Sequence, residues 1–321
     1  MSDAPSLGTS IRGACLCGAV AFAIAPPYRW FAHCHCSMCR KHHGSLFNTS
    51  LGVTRGAFLW LRGDEGIVHY RATPAFERPF CGRCGSTVPA LSHDERYWHV
   101  PAGLLDADPL VRPRTHIFVA SRSPLVELDD VLPRHAAYPP AIALSTANDG
   151  GSAANAGSNL RPTVATRRAH DDSAAVVGSC LCGAVAFAAT ELPRRVVNCH
   201  CSMCRRSRAA AFSSTLYVRS GEFRWVRGEE RVRTYVATTA RHYVNTFGFC
   251  ADCGSFMPNG PMESPLGELA SLPAGAIDSP LPPLPAAHLY VGSKAPWYEI
   301  ADSWPQFDEL PPPERLTEFF R

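Results

Sequence analysis

Cysteines carry the clearest chemistry in this sequence: there are fourteen among 321 residues. Seven lie in the first half (Cys15, Cys17, Cys34, Cys36, Cys39, Cys81 and Cys84). Seven lie in the second (Cys180, Cys182, Cys199, Cys201, Cys204, Cys250 and Cys253). Seven is odd, so complete disulfide pairing within a half is impossible. Seven does divide into a closed four and an open three. Zinc sites divide the same way, since a structural ion takes four protein ligands and a catalytic one takes three and keeps a position free.

The two CxxCG segments, Cys81 to Gly85 and Cys250 to Gly254, each place two thiols three residues apart beside a glycine able to take the positive φ of a tight turn. Two further ligands must come from elsewhere, and Cys15-Leu16-Cys17-Gly18 is a candidate. In an extended strand residues i and i+2 share a face but stand too far apart; a turn at Gly18 would close the gap. The expected groups are therefore Cys15, Cys17, Cys81 and Cys84, and likewise Cys180, Cys182, Cys250 and Cys253. Each would clip the start of its half to its middle, and structural zinc binds peptides with about 10–16 kcal/mol.

The remaining cysteines form two CxCxxC loops, Cys34, Cys36, Cys39 and Cys199, Cys201, Cys204. One short loop supplies three corners of a tetrahedron. Water, a substrate thiol, or His35 or His200 from inside the loop could supply the fourth. A closed site with a histidine ligand and a metal-free thiol cluster are the alternatives. Arg40 and Lys41 follow the first loop, and Arg205 and Arg206 the second. Three thiolates around Zn²⁺ carry a formal charge of −1, so these cations would stabilise the cluster, keep its thiols deprotonated, and attract a substrate's carboxylates. A solvated charge pair is the plain alternative. His33, His42 and His43 read as surface or hydrogen-bonded histidines.

The chain that positions these residues repeats itself. CLCGAVAF occurs at Cys15 and at Cys180, and CHCSMCR at Cys34 and at Cys199, both at an offset of 165. CGRCGS at Cys81 matches CADCGS at Cys250 at an offset of 169, and His116 matches His288 at 172. Copies of this size are tandem domains rather than solenoid repeats. The expected layout is a first domain over 1–143, a flexible Ala/Ser/Asn/Gly-rich linker over 144–175, and a second domain over 176–321. Val20, Phe22 and Ile24 alternate as a half-buried strand does. Phe58 to Arg62 and Val68 to Ala72 flank Gly63–Gly66 as a hairpin would. His116 to Ala120 and His288 to Gly292 read as later strands. The chain is expected to be all-β with irregular loops.

Composition narrows the partners. The sequence is 46% hydrophobic and 18% charged, with a formal net charge of +3 and no long Lys/Arg run, so a polybasic nucleic-acid arm is absent and nucleic acid is not an expected partner. No apolar run approaches a membrane span. The first eleven residues lack the pattern of a secretory signal, so a cytoplasmic location is expected, where cysteines serve as ligands or reactive thiols more often than as disulfides.

The ordered motifs CLCGAVAF, CHCSMCR, FCGRCGS and HIFVASRSP, and their second set ending in HLYVGSKAPWYEIADSWPQF, resemble the glutathione-dependent formaldehyde-activating enzyme / centromere protein V (CENP-V/GFA) family over nearly all of both copies. The resemblance implies a β-tent fold of short coiled sheets in each copy. It also implies a structural zinc on the first CxC with the late CxxC and a second, catalytic zinc on CxCxxC, giving two zinc ions per domain and four per chain. The implied activity is that of a carbon–sulfur lyase forming or cleaving S-hydroxymethylglutathione, with glutathione as the small-molecule thiol. A non-catalytic zinc module for protein or nucleic-acid interaction is the alternative. The copies differ at the end of the motif: the second has Trp297 and Phe307 where the first has Leu125 and His135.

Overall fold

The computed structural model describes residues 10–139, 171–238, 244–264 and 267–320. Residues 144–170 of the expected linker lie outside them. The first copy runs β1 (Ile11–Ala14), β2 (Ala21–Ile24), β3 (Tyr28–Cys34), α1 (Ser37–His43), β4 (Asn48–Thr54), β5 (Phe58–Arg62), β6 (Ile67–Thr73), β7 (Phe76–Cys81), β8 (Ala90–Leu91), β9 (Tyr97–Pro101) and β10 (His116–Ile117). The second runs β11 (Val176–Ser179), β12 (Ala186–Ala189), β13 (Val196–Cys199), α2 (Ser202–Arg208), β14 (Ser213–Arg219), β15 (Phe223–Arg227), β16 (Val232–Thr238), β17 (Val244–Cys250), β18 (Phe256–Met257), β19 (Asn259–Ser264), β20 (Gly267–Pro273), β21 (Ala286–Leu289), β22 (Gln306–Phe307) and α3 (Leu316–Phe320). The fold is mostly β, in small sheets with no barrel among the described residues, and the two copies stand in tandem.

Among the described residues each copy makes three sheets. The first copy's are β1-β2-β5, β10-β3-β4-β9-β8 and β6-β7. The second repeats them as β11-β12-β15, β19-β20-β14-β13-β21-β22 and β16-β17-β18. The expected hairpin across Gly63–Gly66 does not form. β5 pairs with β2 (Phe22 opposite Trp60), whereas β6 pairs with β7 (Ile67 opposite Cys81). Gly63, at φ 76, turns the chain out of one sheet and a 3-10 turn over Asp64–Gly66 starts the next. The turn is pressed against the β1–β2 loop, where a Cβ on Gly63 would meet the Ala19 carbonyl oxygen at 2.1 Å. The late strands are also shorter than expected. Phe118 and Tyr290 both take positive φ and lead into 3-10 turns, ending the pairing that His116 and His288 begin. β2 is buried on both faces, because the small Ala21 and Ala23 are covered as well as Phe22 and Ile24.

The two copies share one apolar core. A single buried cluster joins Phe22, Phe31, Phe47 and Leu51 of the first to Phe212, Leu216 and Trp297 of the second. Phe47 meets Phe212 edge-on with centroids 5.4 Å apart, and Trp297 packs on Phe31 at 5.5 Å. The end of α1 rests on the second copy's Ala274–Ala276 turn, and α2 rests on the first copy's Ala102–Leu104 turn. Glycine permits both approaches. A Cβ on Gly275 would lie 2.1 Å from the Arg40 carbonyl oxygen, and one on Gly103 would lie 2.3 Å from the Ala210 backbone.

Candidate metal centres

The four-cysteine groups expected from the sequence come together in space. The Sγ atoms of Cys15, Cys17, Cys81 and Cys84 lie within 4.8 Å of one another, as do those of Cys180, Cys182, Cys250 and Cys253. Gly18 and Gly183 take φ of 72 and 76, making the turn that brings each CxC pair to 3.5 and 3.4 Å. Cys17 then stands 3.7 Å from Cys81, and Cys182 stands 3.8 Å from Cys250. A tetrahedron with metal–sulfur bonds of about 2.3 Å has edges of about 3.8 Å, so the donors fit zinc. All fourteen cysteines are free thiols. Ser86 and Ser255 lock the two turns of each clip together, accepting from the backbone N–H of Leu16 at 3.1 Å and of Leu181 at 2.9 Å. Hydrogen bonds from the Cys15, Cys17 and Cys81 thiols hold the Cys84 thiol far below its usual range.

Each clip is roofed by the other copy. Tyr70, on β6, packs against the buried cluster that holds Cys180, Cys250 and Cys253, and Tyr235, on β16, packs against the one that holds Cys15, Cys81 and Cys84. Burial and then the second copy's sulfurs push Tyr70 up to about 12. Phe80 sits over Gly254 and Phe249 over Gly85, where an added Cβ would lie 2.4 and 2.5 Å from the ring.

The CxCxxC loops form the other two clusters. Cys34, Cys36 and Cys39, and separately Cys199, Cys201 and Cys204, hold their sulfurs within 4.8 Å of one another. Among the described residues, no histidine nitrogen or carboxylate oxygen joins either trio at that distance. The first cysteine ends β3 or β13, the middle one caps the helix, and the third lies in its first turn. Cys36 Sγ accepts from the Cys39 N–H at 3.4 Å, and Cys201 Sγ accepts from the Cys204 N–H at 3.4 Å. Within each trio the charge gathers on the middle sulfur. Hydrogen bonds from the flanking thiols hold Cys36 well below its usual range and bring Cys201 down to about 3.

Among the described residues, three sulfurs joined by no histidine or carboxylate, and four forming a complete set, recur in both copies. The profile of the glutathione-dependent formaldehyde-activating enzyme family matches residues 10–121 and 175–293, well over half of the chain. The chain belongs to this GFA family. A relative from Halomonas elongata, provisionally named glutathione-dependent formaldehyde-activating enzyme, is 33% identical over 132 residues, which cover 37% of this chain and 81% of its own. A solved Rhodobacter sphaeroides protein is 23% identical, covers 32% of this chain and 92% of its own, and superposes with a TM-score of 0.25.

The basic residues beside the GFA trios divide into two kinds. Arg40 and Arg205 turn back on their own loops, donating from Nε to the carbonyls of His35 at 3.3 Å and His200 at 3.2 Å. Lys41 and Arg206 reach into the other copy, Lys41 to Asp278 at 2.8 Å and Arg206 to Asp106 at 2.5 Å. The histidines are buried rather than on the surface. His33 bonds Thr49 at 2.8 Å, and His42 and His43 donate to the carbonyls of Cys253 and Arg208 at 3.1 and 2.7 Å.

His35 and His200 are held as well. His35 Nε2 lies 2.9 Å from His116 Nδ1, whose Nε2 lies 2.8 Å from Asp130. The second copy repeats the chain as His200, His288 and Asp302. The carboxylate fixes the protons: His116 donates from Nε2, so its Nδ1 accepts and His35 donates from Nε2. Burial brings His35 down to about 3 and His200 to about 2, so both rings are neutral. His116, Asp130, His288, Asp302 and Tyr298 line a cavity of ≈ 40 Å³ between the copies. The roles of Asp130 and Asp302 were not anticipated, although they recur at the same offset of 172 as the histidines. Arg78 was not anticipated either, and no repeat points to it; its Nη2 lies 3.8 Å from Cys39 Sγ.

Proposed function

We propose that each half, 1–143 and 176–321, binds two zinc ions, and that the three-sulfur sites carry a carbon–sulfur lyase reaction on the adduct of a small thiol with formaldehyde, S-hydroxymethylglutathione being the reference substrate. The observation that carries this reading is the trio itself: three sulfur donors on one loop with, among the described residues, no imidazole or carboxylate closing the set. Zinc held by Cys34, Cys36 and Cys39, or by Cys199, Cys201 and Cys204, would lower the pKa of a thiol entering the free position and keep it as the nucleophilic thiolate. The chain does the rest. The flanking thiols and helix N–H groups present the middle sulfur deprotonated. The His35 and His200 chains pin the loops from behind. Arg78 in the first copy offsets the excess negative charge of three thiolates. In the forward direction the thiolate sulfur bonds to the formaldehyde carbon and the carbonyl oxygen takes up the proton that the thiol released; cleavage is the reverse. A reducing cytoplasmic setting suits fourteen free cysteines.

The test is exchange between free formaldehyde and its glutathione adduct, followed by two-dimensional exchange NMR with zinc-loaded protein. Acceleration above the buffer rate is expected for the wild type and not for the Cys36→Ser, Cys201→Ser double variant. Equal exchange for wild type, variant and buffer would leave the clusters as scaffolds.

A further inference from the structure

The helix that follows each sulfur trio ends on the other copy's clip, and in the first copy it does so through buried groups. The seven-residue α1 carries Cys39 in its first turn and Lys41 and His42 in its second. Lys41 Nζ donates to the Ser179 carbonyl at 2.7 Å and to the Ala276 carbonyl at 3.4 Å, and it pairs with Asp278 at 2.8 Å. Ser179 is the residue before Cys180. His42 Nδ1 lies 3.1 Å from the carbonyl oxygen of Cys253, itself one of the second clip's four cysteines. A carbonyl only accepts, so Nδ1 carries the proton. His42 stands three residues after Cys39, one helical turn along the same face. One helical turn and one hydrogen bond therefore join a cysteine of the first trio to a cysteine of the second clip.

The second copy keeps the outline of this link and loses its grip. Arg206 Nη1 donates to the carbonyl of Ala14, the residue before Cys15, at 3.3 Å. Arg206 also pairs with Asp106, which matches Asp278 at the offset of 172, but that pair is 28% and 42% exposed. The counterpart of His42 at the offset of 165 is Ser207, whose Oγ donates to the Cys204 carbonyl of its own helix at 2.9 Å. The route from a trio to the opposite clip is thus drawn twice, and only the route from the first trio to the second clip is made of buried groups.

Metal in the trio would fix the first turn of α1, and metal in the clip would fix Ser179 and Cys253, where the second turn of α1 is tied. Each ion then orders the groups that the other one needs ordered, and the second to bind meets a smaller entropy cost. We infer that Lys41 and His42 are positioning residues that couple the first trio to the second copy's clip, so that metal in either cluster tightens the hold on metal in the other. The effect runs both ways, because a coupling free energy belongs to the pair of sites. This rests on the reading above that both kinds of cluster hold zinc.

The test holds the full-length protein at a free zinc concentration, fixed by a metal buffer, that fills the wild-type clusters, and follows iodoacetamide alkylation of each cysteine by peptide mass. Cys36→Ser empties the first trio and keeps the helix capped, since serine is a good N-cap. Alkylation of Cys180, Cys182, Cys250 and Cys253 is expected to rise about fivefold or more, the lower end of ordinary coupling between sites. Cys201→Ser should change Cys15, Cys17, Cys81 and Cys84 by less than about twofold, as an exposed link allows. With the links cut by Lys41→Met, Asp278→Leu and His42→Leu together, Cys36→Ser should add less than about twofold to the second clip. His42→Asn in place of His42→Leu keeps a donor where Nδ1 stood and should restore part of the effect. If the triple background does not fold, Lys41→Met with Asp278→Leu alone, which strands no charge, should still lower the effect. A second clip unchanged by Cys36→Ser, or a rise that persists with the links cut, overturns the coupling and leaves the metal sites standing. If Cys34, Cys36 and Cys39 alkylate as fast with zinc as without it, the trio holds no metal, and the reading above falls together with the coupling.

Discussion

The Nζ of Lys41 lies 2.8 Å from Oδ1 of Asp278, an ion pair made between the two copies with both side chains less than a tenth exposed. Lys41 also donates to the Ser179 carbonyl at 2.7 Å and to the Ser179 hydroxyl at 3.0 Å. Burial depresses the ammonium and Asp278 opposes that shift. Removing one partner strands a charge that water cannot reach, so Asp278→Ala should lower stability by about 3–5 kcal/mol. Replacing the pair together, Lys41→Met with Asp278→Leu, should be close to neutral. The corresponding pair across the boundary, Arg206 and Asp106, is 28% and 42% exposed, so Asp106→Ala should change stability by about 1 kcal/mol or less. Urea midpoints of the three variants check the order.

The crossed tyrosine and phenylalanine roofs couple the two structural clips. Phe80 is fully buried and covers the turn after Cys253, so Phe80→Ala should cost about 3–5 kcal/mol. Its effect should reach the second copy's clip although the substitution lies in the first. Zinc release from the two four-sulfur clips under a chelator should then accelerate together and follow one phase. Release from one clip at the wild-type rate beside a fast second phase would mean that the halves hold their metal independently.

Metal stoichiometry separates the two kinds of cluster. The Cys36→Ser, Cys201→Ser double variant should fall from about four zinc ions per chain to about two with the fold kept, because the four-sulfur sets are complete without the trios. Cys84→Ser removes a ligand of a clip joining β1 to β7 and should reduce the yield of folded protein. Elemental analysis beside circular dichroism reads both outcomes.

The cysteine groups were legible because their chemistry is local: an odd count, a repeated order, and glycines at the turns that CxC and CxxC pairs need. Gly18 and Gly85 do take the positive φ that the spacing implied. The packing of the copies was not legible. Lys41 reads as one of a basic pair beside a metal loop, and only the approach of α1 to the Gly275 backbone reveals its partner 237 positions away. The false hairpin at Gly63–Gly66 has the same origin. The turn chemistry was right, but the strands on either side bury their faces against different partners, and tertiary packing decides between pairings that local sequence leaves equal. Arg78 escapes a repeat-based reading because the residue at its place before the second CxxC is Phe247, which carries no charge.

The histidine chain behind each trio gives the last prediction. His35 sits between two cysteines, donates from Nε2 to His116 at 2.9 Å, and is held from the other side by its backbone N–H on the Ile117 carbonyl at 3.0 Å. His116→Leu removes the acceptor and leaves a buried N–H unmet, which costs about 1–3 kcal/mol. The loop loses the restraint that fixes the direction of Cys34 and Cys36, so the first trio should bind metal on the order of tenfold more weakly, in line with the loss of a supporting hydrogen bond at other metal sites. The second trio, held by His288 and Asp302, should keep its affinity, and so should both clips. A competition titration against a chromophoric chelator resolves the classes: one weakened site in four is the expected result, whereas four unchanged sites would show that the chain from His35 to Asp130 merely fills the core.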